Sequence, residues 1–453
     1  MKQDFSGKKV VVIGAGRSGQ ALVRFLLQRG ASVALSDQRS AEQIAGLAEF
    51  AQLPVRLDLG GHNLELFVQA DLIAVSPGVP LDCPPLQRAR SCNIPLLGEV
   101  ELAAREIAAP MIGITGTNGK STTTSLLGEI FQAWGKRIFV GGNIGTPLVE
   151  ACTDSYDLLA VELSSFQLET IEEFHPRFAL LLNLSADHLD RYADLQSYYQ
   201  AKMQLFRNQD AGDYAILNAD DAEVCRLTEG LHATKVWFSA QGRDVRGMIR
   251  RGDELIWNWN GANSRLPLAA LRLPGEHNIE NAMAALIPAL LQGCPAELAW
   301  QAVCGFRGLE HRMSLVRQRG GVDWYNDSKG TNVGSVLKSL AGLAAPVTLI
   351  AGGKDKGGAY ASLRPTLTEK VENLILIGEA AQRMAEELSG CGQIRLAASL
   401  KAAVLQAAEI TPSGGTVLLS PACSSFDMFS DYQARGREFV RLVEALPEAG
   451  RKL

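Results

Sequence analysis

Short apolar runs recur along the chain, each closed by a turn signal and followed by a helical pattern: residues 10–13, 32–36, 72–76, 111–115, 158–163 and 179–184. Continuous apolar strands alternating with helices imply strands covered on both faces, as in parallel sheets flanked by helices. The same texture resumes at 347–352, 374–378 and 416–420, so the pattern predicts an α/β protein throughout. Residues 244–273 differ: DELIWNWNG alternates tryptophans with polar positions and predicts a small antiparallel excursion. The chain restarts with a helix after Gly98, and a helical stretch gives way through FRGLEHR to a new strand near 307–310. These breaks predict three domains, 1–98, 99–308 and 309–453, with no internal repeat.

Composition narrows the function classes. A chain of 453 residues, 47% hydrophobic and 21% charged, can bury several cores. Its net charge of -5 comes with no basic block, which argues against a nucleic-acid or anionic-membrane partner. Eight cysteines without a CxxC pair fit reduced thiols better than a disulfide framework or a zinc site. No apolar run approaches a membrane span, and the first residues lack the apolar core of a signal peptide. The expectation is a cytoplasmic protein.

Two segments carry phosphate-binding chemistry. Gly14-Ala-Gly-Arg-Ser-Gly19 follows the VVVIG strand and opens a helix, with Asp37 at the end of the next strand. Such glycines permit a tight turn that aims helix N-terminal amides at a diphosphate. NAD, FAD and a UDP-sugar all fit, with Asp37 on a ribose hydroxyl or facing a uracil. The second, Gly113-Ile-Thr-Gly-Thr-Asn-Gly-Lys-Ser-Thr122, lies between the PMIGIT strand and a helix predicted over 123–134. Lys120 would reach the β and γ phosphates, Ser121 would ligate magnesium, and the loop amides would cradle phosphate oxygens. The loop departs from a strict GxxxxGK[ST], because Ile114 stands where the first glycine belongs.

TGTNGKST resembles the ATP loop of the Mur ligases and of their folylpolyglutamate synthetase relatives. GGNIG, ELSSFQLE, NLSADHLDRY, YYQAKMQLF, NADD, GEHNIENAMAA, LEHR, YNDSKGTN, GGKDKG and SPACSSFDMFSDYQARG then resemble successive motifs of that family, in order, across the chain. The GAGRSG domain and the closing motif resemble the D-glutamate-adding branch, and the DNPR-type motif of the diaminopimelate or lysine adders is absent. The resemblance implies an N-terminal Rossmann-like UDP-binding domain, a central P-loop ATPase-type domain with a mostly parallel sheet, and a C-terminal Rossmann-like α/β domain. It also implies ligation of D-glutamate to UDP-N-acetylmuramoyl-L-alanine, with ATP and Mg2+, through an acyl phosphate, by a monomer acting on small molecules.

In that reaction anions must meet, so catalysis should consist mainly of charge neutralisation and positioning. The resemblance implies that Gly116, Thr117, Asn118, Gly119, Lys120, Ser121, Thr122, Asn281, Arg312 and Asp327 bind ATP, the arginine on the γ-phosphate and the aspartate near ATP once the third domain closes. Ser121, Glu162 and His188 would hold magnesium, and Lys202, carbamylated in the family, would join them. Gly14, Arg17, Ser18, Asp37, Gln38, Arg39, Gly78, Asn143, Ser164 and Gln167 would contact the UDP-substrate. Lys329, Thr331, Lys356, Ser425, Phe426 and Tyr432 would bind D-glutamate, whose two carboxylates demand cations and hydroxyl or amide donors. The catalytic set is then Lys120, Asn143, Glu162, His188, Lys202 and Lys356.

Simpler readings exist for single residues: Glu162 as a solvated strand-end acid, Lys202 as a helix-surface lysine, Asn143 as a turn former. For the whole chain, the first loop and Asp37 alone would suit an NAD-dependent dehydrogenase, but that leaves the ATP loop and the C-terminal third unused. A nucleotide switch without chemistry and a Mur ligase for another amino acid are the remaining alternatives.

Overall fold

The computed structural model describes residues 3–188, 191–273 and 275–447. Their strands form three sheets, in an α/β arrangement. The first comprises β1 (Lys9–Ile13), β2 (Ser32–Asp37), β3 (Val55–Leu59), β4 (Leu72–Val75) and β5 (Leu96–Gly98). Their order is β3-β2-β1-β4-β5 and every pairing is parallel. Strand order therefore reverses direction between β1 and β4, which opens a crevice beyond their carboxyl ends.

The second sheet holds β6 (Met111–Thr115), β7 (Ile138–Gly142), β8 (Leu158–Glu162), β9 (Phe178–Leu181), β10 (Tyr214–Asn218), β11 (Thr234–Ser239), β12 (Gly247–Arg251), β13 (Glu254–Trp259) and β14 (Ala262–Pro267). In the order β14-β13-β12-β11-β10-β9-β6-β8-β7, only the β12–β13 and β13–β14 pairings are antiparallel. The tryptophan-rich segment is thus a meander on one edge, as its alternation predicts: Trp257 and Trp259 point inward while Asn258 is exposed. The third sheet holds β15 (Ser314–Arg319), β16 (Val322–Asn326), β17 (Val347–Gly352), β18 (Val371–Ile377), β19 (Gln393–Leu396) and β20 (Thr416–Leu419). Its order is β15-β16-β20-β17-β18-β19, parallel except for the β15–β16 hairpin.

Why the predicted runs are apolar is visible in the third sheet. Leu349, Leu374, Leu376 and Leu418 pack on one face with Tyr360, Leu363 and Met384, while Ile350, Ile375, Val417 and Leu419 pack on the other with Val404, Phe439 and Val443. Helices cover both faces, so no position on these strands can be polar without a partner. The sequence pattern finds β1, β2, β4, β6, β8, β9, β17, β18 and β20, and the new strand expected after FRGLEHR is β15. It misses β3 and β19, whose residues are largely half-buried or exposed and include charges, and also the buried β7 and β10.

The chain divides into two compact units. One comprises Met1–Asn183, Tyr198–Ala269 and Glu280–Val303, the other Leu184–Ser197, Ala270–Ile279 and Cys304–Leu453. Among the described residues no helix is long and apolar enough to cross a membrane.

Candidate functional site

In the first unit, the crevice between β1 and β4 is lined by the GAGRSG turn. Gly14 has φ +93°, and a Cβ there would lie 2.8 Å from Val79 Cγ2, so only glycine lets this turn approach the loop that carries Gly78. A Cβ on Gly19 would lie 1.8 Å from the Gly14 carbonyl oxygen. Asp37 accepts from Ala15 N–H at 2.6 Å and from the Arg39 guanidinium at 2.8 and 3.0 Å. Burial pushes its carboxyl up, but the hydrogen bonds from Arg39 and Ala15 outweigh it and hold the group below the usual carboxylate range. Asp37 thus braces the phosphate turn itself. Arg17 donates to the Gly145 carbonyl at 2.9 Å, linking this turn to the GGNIG segment; Ser18 is half-buried, and Gln38 and Gly78 are exposed.

The loop after β6 has the shape of a phosphate cradle. Gly116 and Gly119 both have positive φ, at +146° and +88°, and the helix Lys120–Ala133 begins directly on Gly119. This helix starts three residues before the predicted Thr123, because Lys120, Ser121 and Thr122 are its first turn and bring its free amides to the loop. A Cβ on Gly119 would lie 2.2 Å from Asn281 Oδ1, which places Asn281 against the cradle. Asn281 Oδ1 also accepts from Thr123 at 3.4 Å. Lys120 Nζ donates to the carbonyls of Gly116 and Thr117, each at 2.9 Å.

One residue of this cradle is not among the sequence-based candidates. Asn183 accepts from Thr117 N–H through its carbonyl at 2.9 Å and from Asn118 N–H through Oδ1 at 2.8 Å, and donates to the Asn118 carbonyl at 3.1 Å. Its place in NLSADH was the available signal.

Glu162 ends β8, beside the loop: β8 pairs with β6 so that Ile114 faces Glu162. Its side chain is buried, 1% exposed, so it is not a solvated strand-end acid. Asn143 Nδ2 donates to Glu162 Oε1 at 2.7 Å and Asn143 N–H donates to the Glu162 carbonyl at 2.9 Å. The glycines before it permit this approach, since a Cβ on Gly142 would stand 2.4 Å from the Glu162 carbonyl oxygen. Asn143 is therefore more than a turn former. Ser164 and Gln167 engage each other, Ser164 N–H donating to Gln167 Oε1 at 3.0 Å and Gln167 N–H to Ser164 Oγ at 3.3 Å, and so cap the short helix Ser165–Leu168.

Lys202 lies in the helix Leu195–Met203 and is 1% exposed, which removes the helix-surface reading. Its Nζ donates to the Gly116 carbonyl at 2.9 Å, the oxygen that Lys120 also reaches, and sits 4.6 Å from the centre of the Tyr198 ring. The structure brings Lys120 and Lys202 together on the loop after β6.

In the second unit, the proposed acceptor residues sit on loops that follow three neighbouring parallel strands, β16, β20 and β17. Lys329 and Thr331 follow β16, Lys356 follows β17, and Ser425 and Phe426 follow β20. Carboxyl ends of strands at such a reversal of order are where α/β sheets bind ligands. Lys329 Nζ lies 5.0 Å from the centre of the Tyr432 ring, and Lys356 Nζ lies 3.9 Å from Asp187 Oδ1. Asn332 Nδ2 donates to Asp187 Oδ2 at 2.9 Å. Ser425 is buried, whereas Phe426 is 68% exposed. His188, next to Asp187, has φ +56°, a backbone state that a non-glycine residue adopts at a cost.

These loops are tied from below by Arg435, which sequence reasoning also passed over although it lies in the QARG end of the closing motif. Its guanidinium is fully buried and donates to Ser328 Oγ at 3.0 Å, the Ser328 carbonyl at 2.8 Å, and the Cys423 and Ser424 carbonyls at 3.3 Å. Burial among these uncharged acceptors lowers its pKa to about 10. It remains a cation beneath two of the acceptor loops, a favourable field for an anion. Asp327, by contrast, turns into this unit's interior. Its Oδ2 accepts from Ser339 and Ser420, both at 2.7 Å, and burial pushes it up to about 6. Arg312 lies in the same unit, half-buried.

For a metal ion, the donors are hard oxygens: the buried Ser121 hydroxyl and the Glu162 carboxylate. Among the described residues no three His, Cys, Asp or Glu side chains cluster as a metal cage. That set fits Mg2+, which takes one or two carboxylates and completes its shell with phosphate oxygens and water.

Comparison with known proteins agrees with this arrangement along the whole chain. Residues 8–98 match the model of the Mur ligase MurD-like N-terminal domain, 114–289 that of the Mur ligase middle domain, and 311–423 that of the Mur ligase glutamate ligase domain. The chain is 56% identical to the UDP-N-acetylmuramoylalanine--D-glutamate ligase of Syntrophotalea carbinolica, over 99% of this chain and 100% of that one. It is 50% identical to the protein of the same name from Geobacter metallireducens, over 98% of each. Among solved structures, the UDP-N-acetylmuramate-alanine ligase MurC of Thermotoga maritima superposes with a TM-score of 0.62 at 19% identity, covering 97% of this chain and 99% of that one. A pseudomurein peptide ligase type C from Methanothermus fervidus gives 0.60 at 20% identity, covering 96% and 99%. At such identities the two structures speak for the fold alone, but full-length identity of half or more does not arise outside a family: the chain belongs to the Mur ligase family.

Proposed function

We propose that this protein is an ATP-dependent amide ligase that joins D-glutamate to UDP-N-acetylmuramoyl-L-alanine in peptidoglycan precursor synthesis. The observation that carries the reading is the 56% identity, over the whole length of both chains, to a relative bearing that name. Three domains, 1–98 for the UDP-substrate, 99–308 for ATP and 309–453 for the amino acid, divide the work, and the protein acts as a cytoplasmic monomer on small molecules.

The substrate carboxylate attacks the γ-phosphorus of ATP, giving an acyl phosphate and ADP. The amine of D-glutamate then attacks the acyl carbon, loses a proton and expels phosphate. Both steps bring anions together, so the chain's task is to neutralise and orient. Lys120 meets the β and γ phosphates, the amides opening the Lys120–Ala133 helix cradle phosphate oxygens, Asn281 faces the adenine, and Arg312 acts on the γ-phosphate once the third domain closes; Asp327, expected near ATP, is instead held inward by Ser339 and Ser420 and serves this region from within the fold. Ser121 and Glu162 would hold Mg2+, with His188 at a second ion, and the bound metal would supply charge neutralisation on the phosphates. Asn143 fixes Glu162 and meets the substrate. Gly14, Arg17, Ser18, Gln38, Arg39, Gly78, Ser164 and Gln167 serve the UDP-substrate, with Asp37 bracing the turn. Lys329, Thr331, Lys356, Ser425, Phe426 and Tyr432 receive D-glutamate. Lys202 works as its carbamate, formed when its neutral amine adds to carbon dioxide and releases a proton: a buried cation beside the metal site is replaced by an anion that can orient the metal ligands. Its burial and its contact with Gly116 support that role, and activity lost in Lys202→Ala, unrecovered in Lys202→Arg and partly recovered by added acetate, is the expected pattern.

The reading is tested by phosphate release from ATP in the presence of UDP-N-acetylmuramoyl-L-alanine and a panel of amino acids. Release should depend on D-glutamate. Release with a different amino acid would make the chain a ligase of other specificity, and slow release indifferent to all of them would make it a nucleotide switch.

A further inference from the structure

The segment 353–358 after β17 carries Lys356 but is neither helix nor extended strand, and Gly357 within it has φ +70° with open space around it. Left alone, such a segment would present its lysine over a wide range of positions. Its backbone is anchored at one end, where Lys354 N–H donates to the Ser424 carbonyl at 3.0 Å. The rest is held through Asp355. Asp355 Oδ1 accepts from Tyr360 OH at 2.7 Å and from Gly357 N–H at 2.9 Å, and Oδ2 accepts from Arg383 Nη1 at 2.6 Å.

Arg383, on the helix Ala381–Glu387, does more than pair with that carboxylate. Nη2 donates to the Gly358 carbonyl at 2.9 Å, Nε donates to Glu387 Oε1 at 2.8 Å, and the guanidinium lies 5.1 Å from the centre of the Tyr360 ring. It thereby grips the segment on both sides of Lys356 without touching Lys356. Tyr360 is fully buried, and its hydroxyl also meets Cys423 Sγ at 3.1 Å, at the root of the loop that carries Ser425.

We propose that Arg383 is a positioning residue for the amino-acid acceptor, fixing the segment through Asp355 and Gly358 so that Lys356 offers its ammonium to a carboxylate of the incoming dicarboxylic amino acid. The inference rests on the reading of Lys356 as an acceptor-binding residue. Arg383 has a second consequence, because Asp355 and Lys356 are adjacent and of opposite charge. Burial pushes Asp355 up, yet the bonds from Tyr360, Arg383 and Gly357 keep it below the usual carboxylate range, and so ionised. With Arg383 in place that anion is occupied. Without Arg383 its Oδ2 is released and adds a second carboxylate near Lys356, in addition to Asp187 at 3.9 Å, with which D-glutamate must compete.

The test uses the full-length enzyme and compares KM for D-glutamate, KM for ATP and kcat in Arg383→Ala, Arg383→Lys and Lys356→Ala, with Arg441→Ala as a control for loss of a surface arginine. Arg441 pairs only with Glu438 on its own helix among the bonds described, far along the chain from these loops. The Arg383 side chain is 43% exposed, so solvent screens its charge and the expected rise in KM for D-glutamate is roughly tenfold in Arg383→Ala. KM for ATP should stay within about twofold of the wild type, Arg383→Lys should recover part of the loss, and Arg441→Ala should match the wild type. Should Arg383→Ala be insoluble, Arg383→Gln carries the same comparison. If Lys356→Ala raises KM for D-glutamate but Arg383→Ala leaves it unchanged, the clamp is wrong and the reading of Lys356 stands. If Lys356→Ala itself leaves it unchanged, both fall. A rise in KM for ATP equal to that for D-glutamate would show a general loss of structure and also overturn the proposal.

Discussion

The cradle after β6 and the rim formed by the loops after β16, β17 and β20, proposed to receive the triphosphate and D-glutamate, are built differently. The cradle is one short run of chain. Its shape is set by backbone: two glycines with positive φ, a helix starting at Lys120, and Asn183 closing the turn through three hydrogen bonds. The rim is assembled from residues up to a hundred positions apart, and side chains hold it: Arg435 beneath, Arg383 and Tyr360 at the edge. On the proposed reading, a site shaped mainly by backbone suits the ligand that every family member shares, the triphosphate. A side-chain-built site can be retuned one residue at a time, which suits the partner that differs between ligases.

If the two sites are separable in this way, damage to one should leave the Michaelis constant of the other alone. The largest effect is expected in Lys120→Ala, where loss of the cation on the transferring phosphoryl group should lower kcat about a thousandfold or more. D-glutamate KM, measured on the residual rate, should stay within about twofold, and a large change there would break the comparison. Next comes Gly119→Ala, which must place a Cβ 2.2 Å from Asn281 Oδ1 in a left-handed backbone state. Strain of about 1–3 kcal/mol should raise KM for ATP by roughly 5- to 150-fold. Asn183→Ala removes the two side-chain bonds to Asn118 but keeps the backbone bond to Thr117. A rise of about fivefold in KM for ATP follows from a net loss near 1 kcal/mol, again with D-glutamate unaffected.

The smallest effect separates anchoring from folding. Glu99 is fully buried, accepts from Val149 N–H at 2.8 Å through Oε1, and has an Oε2 that makes no hydrogen bond among the described residues. Burial raises its pKa to about 7, above the 4.5 of an unburied glutamate. The folded state therefore holds the extra proton between those values, and Glu99 costs stability progressively as pH rises from about 4.5 to about 7. Glu99→Gln should flatten the dependence of Tm on pH across that window and gain about 1–3 kcal/mol at pH 8, with both Michaelis constants unchanged. A variant as sensitive to pH as the wild type would show that Glu99 is ionised in the folded protein.

The same contrast explains what the sequence alone could reveal. Most buried parallel strands were legible because both faces of each are covered, though the buried β7 and β10 were not among the runs read, and the loop after β6 was legible because its glycines, Lys120 and Ser121 are contiguous. Glu162 and Lys202 could be named from motifs, but their burial, and the contact of Lys202 with the Gly116 carbonyl, come from strand pairing and helix packing that no local pattern encodes. Asn183 lay inside a recognised motif without a role, since its partners Thr117 and Asn118 are over sixty positions away. Arg435 and Arg383 act on loops brought near them by the order β16-β20-β17-β18, which depends on crossovers rather than on spacing. The helix start at Lys120 was placed late because Ser121, Thr122 and Thr123 are weak helix formers. Their side chains are buried against the fold, and tertiary packing overrides that preference.

The central claim is formation of one amide bond to D-glutamate, and the mass of the nucleotide product tests it most directly. The full-length protein would be incubated with ATP, magnesium, UDP-N-acetylmuramoyl-L-alanine and either D- or L-glutamate. The account predicts that the UDP-substrate gains one glutamyl residue with the D isomer, with one ADP and one phosphate formed per bond. An unmodified UDP-substrate after ATP has been consumed, or equal modification by L-glutamate, would contradict it.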